Sequence, residues 1–192
     1  LGGSATFPGT FWGTAIDDTP LLANSNYFDF RTGKTIADND PIEADRIKGG
    51  GITWLNSGKQ LFIGSSKGED VCSSVGPNLT PTDISCDRNS VKGGALIQSK
   101  EIGTKALFAS AAQDQLFSFD YVRGRDGYVP VDLTYSADHL FEEGSILEIA
   151  VMHSKEDLIF LPKQNGVPAV GSYSQDTNTI GWAEFVSEGF VT

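Results

Sequence analysis

The chain has 192 residues and a mass of 20.5 kDa, a length that fits one domain, so we predict a single β-sandwich domain over residues 1–192. Its 39% hydrophobic residues, with 12 Phe and 3 Trp, exclude a mainly disordered chain. The net charge of −11 opposes binding to phosphate backbones and anionic lipids, which excludes nucleic acid as an expected partner. The apolar stretches are too short to cross a bilayer, so we expect no membrane insertion.

Glycine-rich turns recur at short intervals between runs of alternating apolar residues, a pattern typical of an all-β chain. It predicts an antiparallel β-sandwich of jelly-roll type. The predicted strands, in chain order, cover residues 10–16, 26–31, 52–55, 60–64, 94–98, 105–110, 115–122, 128–135, 145–153, 157–161 and 179–186.

Two short helices are predicted at crossovers between the sheets. The first begins at Asp40, which can accept a hydrogen bond as N-cap, has Pro41 as its first residue and Glu43 at the capping-box position. The second covers residues 136–144, with Ser136 as N-cap and Gly144 after its end.

The clearest unit is a β-hairpin made of residues 115–122 and 128–135 around a five-residue turn. A register centred on Arg125 pairs Phe119 with Val131 and places the apolar side chains on one face. The opposite face then carries Asp120 and Asp132, and Tyr128 points away from the apolar side.

Cys72 and Cys86 flank a polar loop rich in turn residues, and we predict a disulfide between them, with two free thiols as the alternative. Such a bond persists in oxidising compartments. The predicted location is therefore extracellular or at the cell surface.

Four acidic residues close together in sequence, Asp38, Asp40, Glu43 and Asp45, predict a Ca²⁺ site, because calcium takes carboxylate and carbonyl oxygens from turns. The alternative is structural, since Asp40 and Glu43 already suit a capping box. Two other motifs lack their required context: Gly64-x-Ser66-x-Gly68 precedes no helical run, and His139 and His153 have no zinc-ligand spacing.

Asp120 and Asp132 raise the possibility of an enzyme. In the predicted register they are diagonal neighbours, about 7–8 Å apart, within the about 6.5–9.5 Å that separates the carboxyl groups of inverting glycosidases. A secreted polysaccharide-degrading enzyme is therefore the alternative function. The structural alternative is that both carboxylates are simply solvated.

Aromatic and polar side chains near the hairpin turn favour a ligand-binding module over an enzyme. Sugar rings stack on aromatic faces while their hydroxyls bond to acids and arginine, and a binding module needs no acid–base or nucleophile set. The predicted ligand, first a glycan and second a peptide, contacts Trp54, Arg123, Arg125, Asp126 and Tyr128. For Trp54 the alternative is a place in the core.

The runs Leu-Phe-Ser-Phe-Asp-Tyr at 116–121, Val-Pro-Val-Asp-Leu at 129–133 and Ser-Ile-Leu-Glu-Ile-Ala-Val at 145–151 resemble the jelly-roll modules of large secreted bacterial adhesins and related surface proteins. The resemblance implies binding of a glycan or peptide with bound Ca²⁺, within a larger multidomain surface protein. The cysteine pair departs from most such modules.

Overall fold

The computed structural model describes residues 2–14, 36–38, 40–45, 50–58 and 60–186. Strand is the dominant structure in these residues, and their helical turns are short 3-10 segments. The strands are β1 (Thr10–Gly13), β2 (Ile42–Asp45), β3 (Ile52–Ser57), β4 (Leu61–Ser65), β5 (Gly68–Ser73), β6 (Ser85–Ser90), β7 (Lys100–Ile102), β8 (Lys105–Ala109), β9 (Leu116–Val122), β10 (Gly127–Asp132), β11 (Ala150–Met152), β12 (Asp157–Leu161), β13 (Ala169–Ser174) and β14 (Thr179–Glu184).

The strands form four antiparallel sheets that follow one another along the chain. Sheet I pairs β1 with β2, and sheets II, III and IV are four-stranded, made of β3–β6, β7–β10 and β11–β14. Strands next to each other in sequence are next to each other in each four-stranded sheet, so these sheets are meanders. In a jelly roll, strands that are distant in sequence lie side by side. No such pairing occurs within sheets II, III and IV.

The sheets pack face to face around three clusters of buried side chains. Sheets I and II enclose a cluster with Phe11 and Ile63, sheets II and III an aromatic cluster with Trp54 and Phe108, and sheets III and IV the largest cluster, which includes Leu107. Sheets II and III therefore bury apolar side chains on both faces. Face-to-face packing of antiparallel sheets confirms the predicted all-β sandwich class.

Several predicted strands are confirmed, with shifts of one or two residues at their ends. Strand β12 has the predicted bounds, and β3, β4, β8, β9 and β14 overlap their predictions. The predicted strand 26–31 lies outside the described residues. Residues 94–98 form no strand beyond a single bridge from Gly94 to Ser110, and only 150–152 of the predicted strand 145–153 is one.

The predicted helix at Asp40 is wrong, because residues 42–45 form strand β2. Strand β2 pairs with β1, and Phe11 lies opposite Ala44. Both side chains are buried against sheet II. Pairing with a strand about thirty residues away in sequence thus overrides the local capping pattern. The second predicted helix is a 3-10 segment, Tyr135–Leu140, at the predicted crossover from sheet III to sheet IV.

The predicted disulfide between Cys72 and Cys86 is confirmed. The two cysteines are directly opposite each other on β5 and β6, with Cα atoms 4.0 Å apart. The two cysteines lie within the paired strands of a hairpin, and the loop that they were predicted to flank connects the ends of these strands. The disulfide therefore fixes an edge strand of sheet II to its neighbour.

The hairpin of β9 and β10 exists, but its predicted register is wrong by one residue. Phe119 is opposite Pro130, and Tyr121 is opposite Tyr128. The turn uses four residues instead of five, because Asp126 adopts a left-handed conformation (φ 48°) and Gly127 pairs at once with Val122. A slip of one residue moves every side chain of β10 to the other face.

Candidate ligand-binding cleft

The corrected register places Tyr128 beside the aromatic residues of β9, where it lines a cleft between sheets II and III. Its ring centroid lies 5.1 Å from that of Phe62, 5.7 Å from Phe119 and 5.5 Å from Tyr121. Tyr128 was predicted to face away from the apolar side, and that orientation is wrong. The Tyr128 ring borders an open space, where a ligand could contact it. Its role as a ligand contact stays a prediction.

The cleft has a volume of about 420 Å³ and combines an aromatic wall with a polar one. Phe62, Tyr121 and Tyr128 supply the aromatic wall. The other lining residues are Asn56 and Gly58 from the end of sheet II, and Glu101, Gly103, Thr104, Lys105 and Asp120 from sheet III. These residues come from the ends of three hairpins that packing brings together.

Two side chains on the polar wall carry opposite charge and lie near each other. The Lys105 Nζ is 3.9 Å from Asp120 Oδ2 and donates hydrogen bonds to Tyr173 Oη at 2.9 Å and to Asn178 Oδ1 at 2.6 Å. Sheet IV thereby holds the ammonium group in place. Asn56 is 8% exposed and its Oδ1 accepts no hydrogen bond from the described residues, although the residue lines the cleft.

Both tyrosine hydroxyls of the cleft keep their protons to higher pH than usual. Burial, and secondarily the Asp120 carboxylate, raise the pKa of Tyr128. The hydrogen bond that Tyr121 Oη donates to Asp126 Oδ1 at 2.5 Å is the main cause that raises the pKa of Tyr121. At neutral pH both hydroxyls are therefore neutral.

The remaining predicted contacts of the hairpin turn, Arg123, Arg125 and Asp126, are exposed. Arg123 and Arg125 belong to a 3-10 turn at the rim and do not line the cleft. Asp126 orients Tyr121 through the hydrogen bond described above. The turn thus borders the site, and Asp126 bonds to a residue that lines it.

Trp54 lies in the core, which is the alternative to its predicted role as a ligand contact. It is 2% exposed, and its ring stacks on Phe108 with centroids 5.1 Å apart. Gly64 and Gly94 flank the indole so closely that a Cβ at either position would overlap it. The ring therefore contributes to packing between sheets II and III.

The carboxylate pair that suggested an enzyme is not formed. Asp120 and Asp132 are opposite Val129 and Phe117 in the ladder, which places them on different faces of sheet III. Asp132 accepts hydrogen bonds from Gln115 Nε2 at 2.8 Å and Thr134 Oγ1 at 2.7 Å, a local structural role. The two-carboxylate hypothesis fails because it depended on the shifted register.

The acidic residues predicted to bind Ca²⁺ have separate contacts. Asp38 accepts a hydrogen bond from the Thr82 hydroxyl, and Asp40 accepts one from the Ala37 N–H at 2.8 Å. Glu43 is exposed on β2, and the Asp45 backbone pairs with Thr10. Within the described residues, no three acidic, histidine or cysteine side chains gather as a metal-binding group. Calcium binding stays a prediction.

A second, more polar cleft of about 500 Å³ lies beside the first and shares Asn56 and Glu101 with it. It is bordered by β3, β7 and β11, the first strand of each four-stranded sheet. At its edge His153 Nδ1 lies 3.2 Å from Asp157 Oδ1. A hydrogen bond from Gln175, with a smaller contribution from His153, lowers the pKa of Asp157.

Sequence reasoning missed most of the residues that line the aromatic cleft. Tyr121 was detectable, since it ends the alternating run that precedes the predicted site. Phe62, Asn56 and Glu101 carry no local signal, because only the packing of sheet II against sheet III brings them to Tyr128.

Comparison with known proteins adds no family assignment. The chain matches no protein-family model, and no curated protein matches it. Among the described residues there is also no helix with the length and hydrophobicity needed to span a membrane.

Proposed function

We propose that the protein is an extracellular recognition module that binds a glycan in the cleft between sheets II and III. The observation that carries the proposal is the composition of that cleft: tyrosine and phenylalanine rings face amide, carboxylate and ammonium groups across about 420 Å³. Sugars present apolar ring faces and hydroxyl edges, and a cleft with these two walls suits both.

The charge distribution supports an uncharged ligand. Lys105 and Asp120 neutralise each other across 3.9 Å, and Glu101 is exposed at the rim. With a net charge of −11, the chain would repel a polyanionic ligand. The disulfide supports the proposed location, because such bonds persist outside the cytosol.

Binding to a glycan array, followed by calorimetry on any glycan that binds, tests the proposal. The informative variant is Tyr121→Ala, because this side chain is 45% exposed and its removal spares the core. Loss of one aromatic contact, worth about 0.5–1.5 kcal/mol, should weaken binding roughly two- to tenfold.

The matched control is Tyr135→Ala, since Tyr135 is 82% exposed and lies outside the cleft. It should bind the glycan as the wild type does. Binding of the Tyr121→Ala variant with wild-type affinity would overturn the assignment of the cleft. If the protein binds peptides on an array and binds no glycan, the ligand is a peptide and the proposed ligand class is wrong.

A further inference from the structure

The aromatic cleft, which holds Tyr128, and the polar cleft, which holds Glu148, adjoin each other. Asn56 and Glu101 line both clefts. Their volumes are about 420 and 500 Å³, and sites for one small ligand span about 300–1,000 Å³. Each cleft is therefore large enough for a ligand of its own, and a molecule that reaches both must be elongated.

The shared residue Asn56 carries a polar group that the protein leaves unsatisfied. It follows Trp54 by two positions on β3, so its side chain points to the same inner face of sheet II. It is 8% exposed, and its Oδ1 has no hydrogen-bond partner among the described residues. A buried amide without a partner is costly. Rotation about the Cβ–Cγ bond can present either the oxygen or the NH₂ group to the clefts, and a hydroxyl group can bond to both.

The shared residue Glu101 adds backbone groups of an open sheet edge. Strand β7 joins β8 through a two-residue turn, so Ile102 and Lys105 form the hydrogen-bonded pair that closes the hairpin. The next pair, Glu101 with Ala106, is then not hydrogen-bonded, and the Glu101 N–H and C=O point away from β8. Because β7 is the edge strand of sheet III, no other strand of that sheet pairs with these groups.

The strand edges around the polar cleft suit a peptide poorly. A peptide that adds to a sheet as a further strand needs a row of free backbone groups. On β3 the Leu55 carbonyl already accepts hydrogen bonds from Gln98 Nε2 at 2.9 Å and from Ser99 Oγ at 3.4 Å. Strands β7 and β11 have three residues each, which is short for such a row. Sugar hydroxyls bond to single donors and acceptors and do not need one.

The polar cleft offers mainly hydrogen-bond acceptors. Of the described residues that line it, none is Phe, Tyr or Trp. Its charged side chains are Lys100, Glu101 and Glu148, and His153 lies at its edge beside Asp157. Carboxylates accept hydrogen bonds from hydroxyl groups, and they repel anionic sugars. A neutral, hydroxyl-rich ligand therefore matches this cleft.

We infer that the two clefts form one groove for a neutral oligosaccharide of three or more sugar units. One unit stacks on Tyr121 and Tyr128, the next bonds to Asn56 and Glu101, and the following units bond in the polar cleft. The inference rests on the proposed function, because it extends the glycan of the aromatic cleft. Since one molecule links the contacts of both clefts, binding should strengthen with chain length until both are filled.

Calorimetry with a length series of the glycan that binds on the array, from the monosaccharide to the hexasaccharide, tests the inference. Affinity should rise by roughly tenfold or more between the disaccharide and the hexasaccharide. Glu148 is exposed and lines only the polar cleft. Glu148→Ala should weaken hexasaccharide binding roughly two- to tenfold, as expected for one lost hydrogen bond, and leave disaccharide binding unchanged.

The matched control is Glu142→Ala, which removes the same charge from an exposed residue outside both clefts. It should bind every length as the wild type does. Affinity that does not rise with length, or equal hexasaccharide binding by the two variants, would overturn the inference and leave the proposed function standing. No binding at any length would overturn both. Binding of an extended peptide that Glu148→Ala weakens, with no sugar bound, would assign the groove to a peptide instead.

Discussion

The Trp54 indole lies between two glycines, and a single methyl group at Gly64 tests how tightly it is held. A Cβ built on Gly64 would lie 1.9 Å from Trp54 Cε2 and 2.1 Å from Nε1, far inside van der Waals contact. The indole has little free space around it, because the Gly94 backbone lies so close that a Cβ there would be 2.4 Å from the same nitrogen, and Phe108 stacks on the ring. Gly64→Ala must therefore displace the indole or separate sheets II and III.

Two reference values bound the free energy of unfolding that Gly64→Ala should lose. Ordinary overpacking of a core costs about 1–3 kcal/mol, and complete loss of a buried tryptophan costs about 3–5 kcal/mol. Because the overlap here exceeds what a shift of a few tenths of an ångström relieves, we expect a loss of about 3–5 kcal/mol. For a chain of this length the melting temperature should fall by roughly 6–20 °C.

Urea unfolding, monitored by far-UV circular dichroism and by tryptophan fluorescence, measures this loss of stability. The two signals should change at the same urea concentrations if unfolding is two-state. Trp54→Phe should partly rescue Gly64→Ala, since the smaller ring leaves space for the methyl group. Gly181→Ala is the control, because a Cβ there meets no atom of the described residues within 4 Å. If Gly64→Ala were as stable as Gly181→Ala, the packing described around Trp54 would be incorrect.

Three further predictions concern the disulfide, a buried carboxyl and calcium. Replacing Cys72 and Cys86 by serine should cost about 3 kcal/mol, because the disulfide closes a loop of about 15 residues; an unchanged urea midpoint would contradict this. Glu69 is fully buried and burial raises its pKa above 4.5, opposed in part by Ser90 and Gly93, so the folded chain holds this proton more tightly than the unfolded chain. Its contribution to stability is present below pH 4.5 and declines as the pH rises through the folded-state pKa. Glu69→Gln should therefore raise the free energy of unfolding at pH 7 and lose that advantage below pH 4.5, and a pH-independent difference would refute the assignment. Millimolar Ca²⁺ should raise the melting temperature relative to EDTA, with Mg²⁺ as the control for screening; equal values in all three would remove the predicted site at residues 38–45.

Local sequence signals were sufficient for the fold class and for several elements. Strands β9, β10 and β12 follow from alternation of apolar residues, which reflects the two faces of a strand and needs no knowledge of the partner. The disulfide was detectable because two cysteines flank one turn-rich segment. These features depend on residues close together in the chain.

Tertiary structure decided the strand at residues 42–45, the register of β10 and the cleft itself. Strand β2 forms because β1 supplies its hydrogen bonds and sheet II covers Ala44, neither of which residues 40–43 can indicate. The left-handed conformation of Asp126 makes the turn one residue shorter than predicted. The register of β10 therefore differs by one residue from the predicted one, and Tyr128 lies in the aromatic cluster. The same shift also separates Asp120 from Asp132. Residues far apart in sequence meet at the cleft only because sheets II and III bury a common apolar face, and burial of that face depends on both sheets at once.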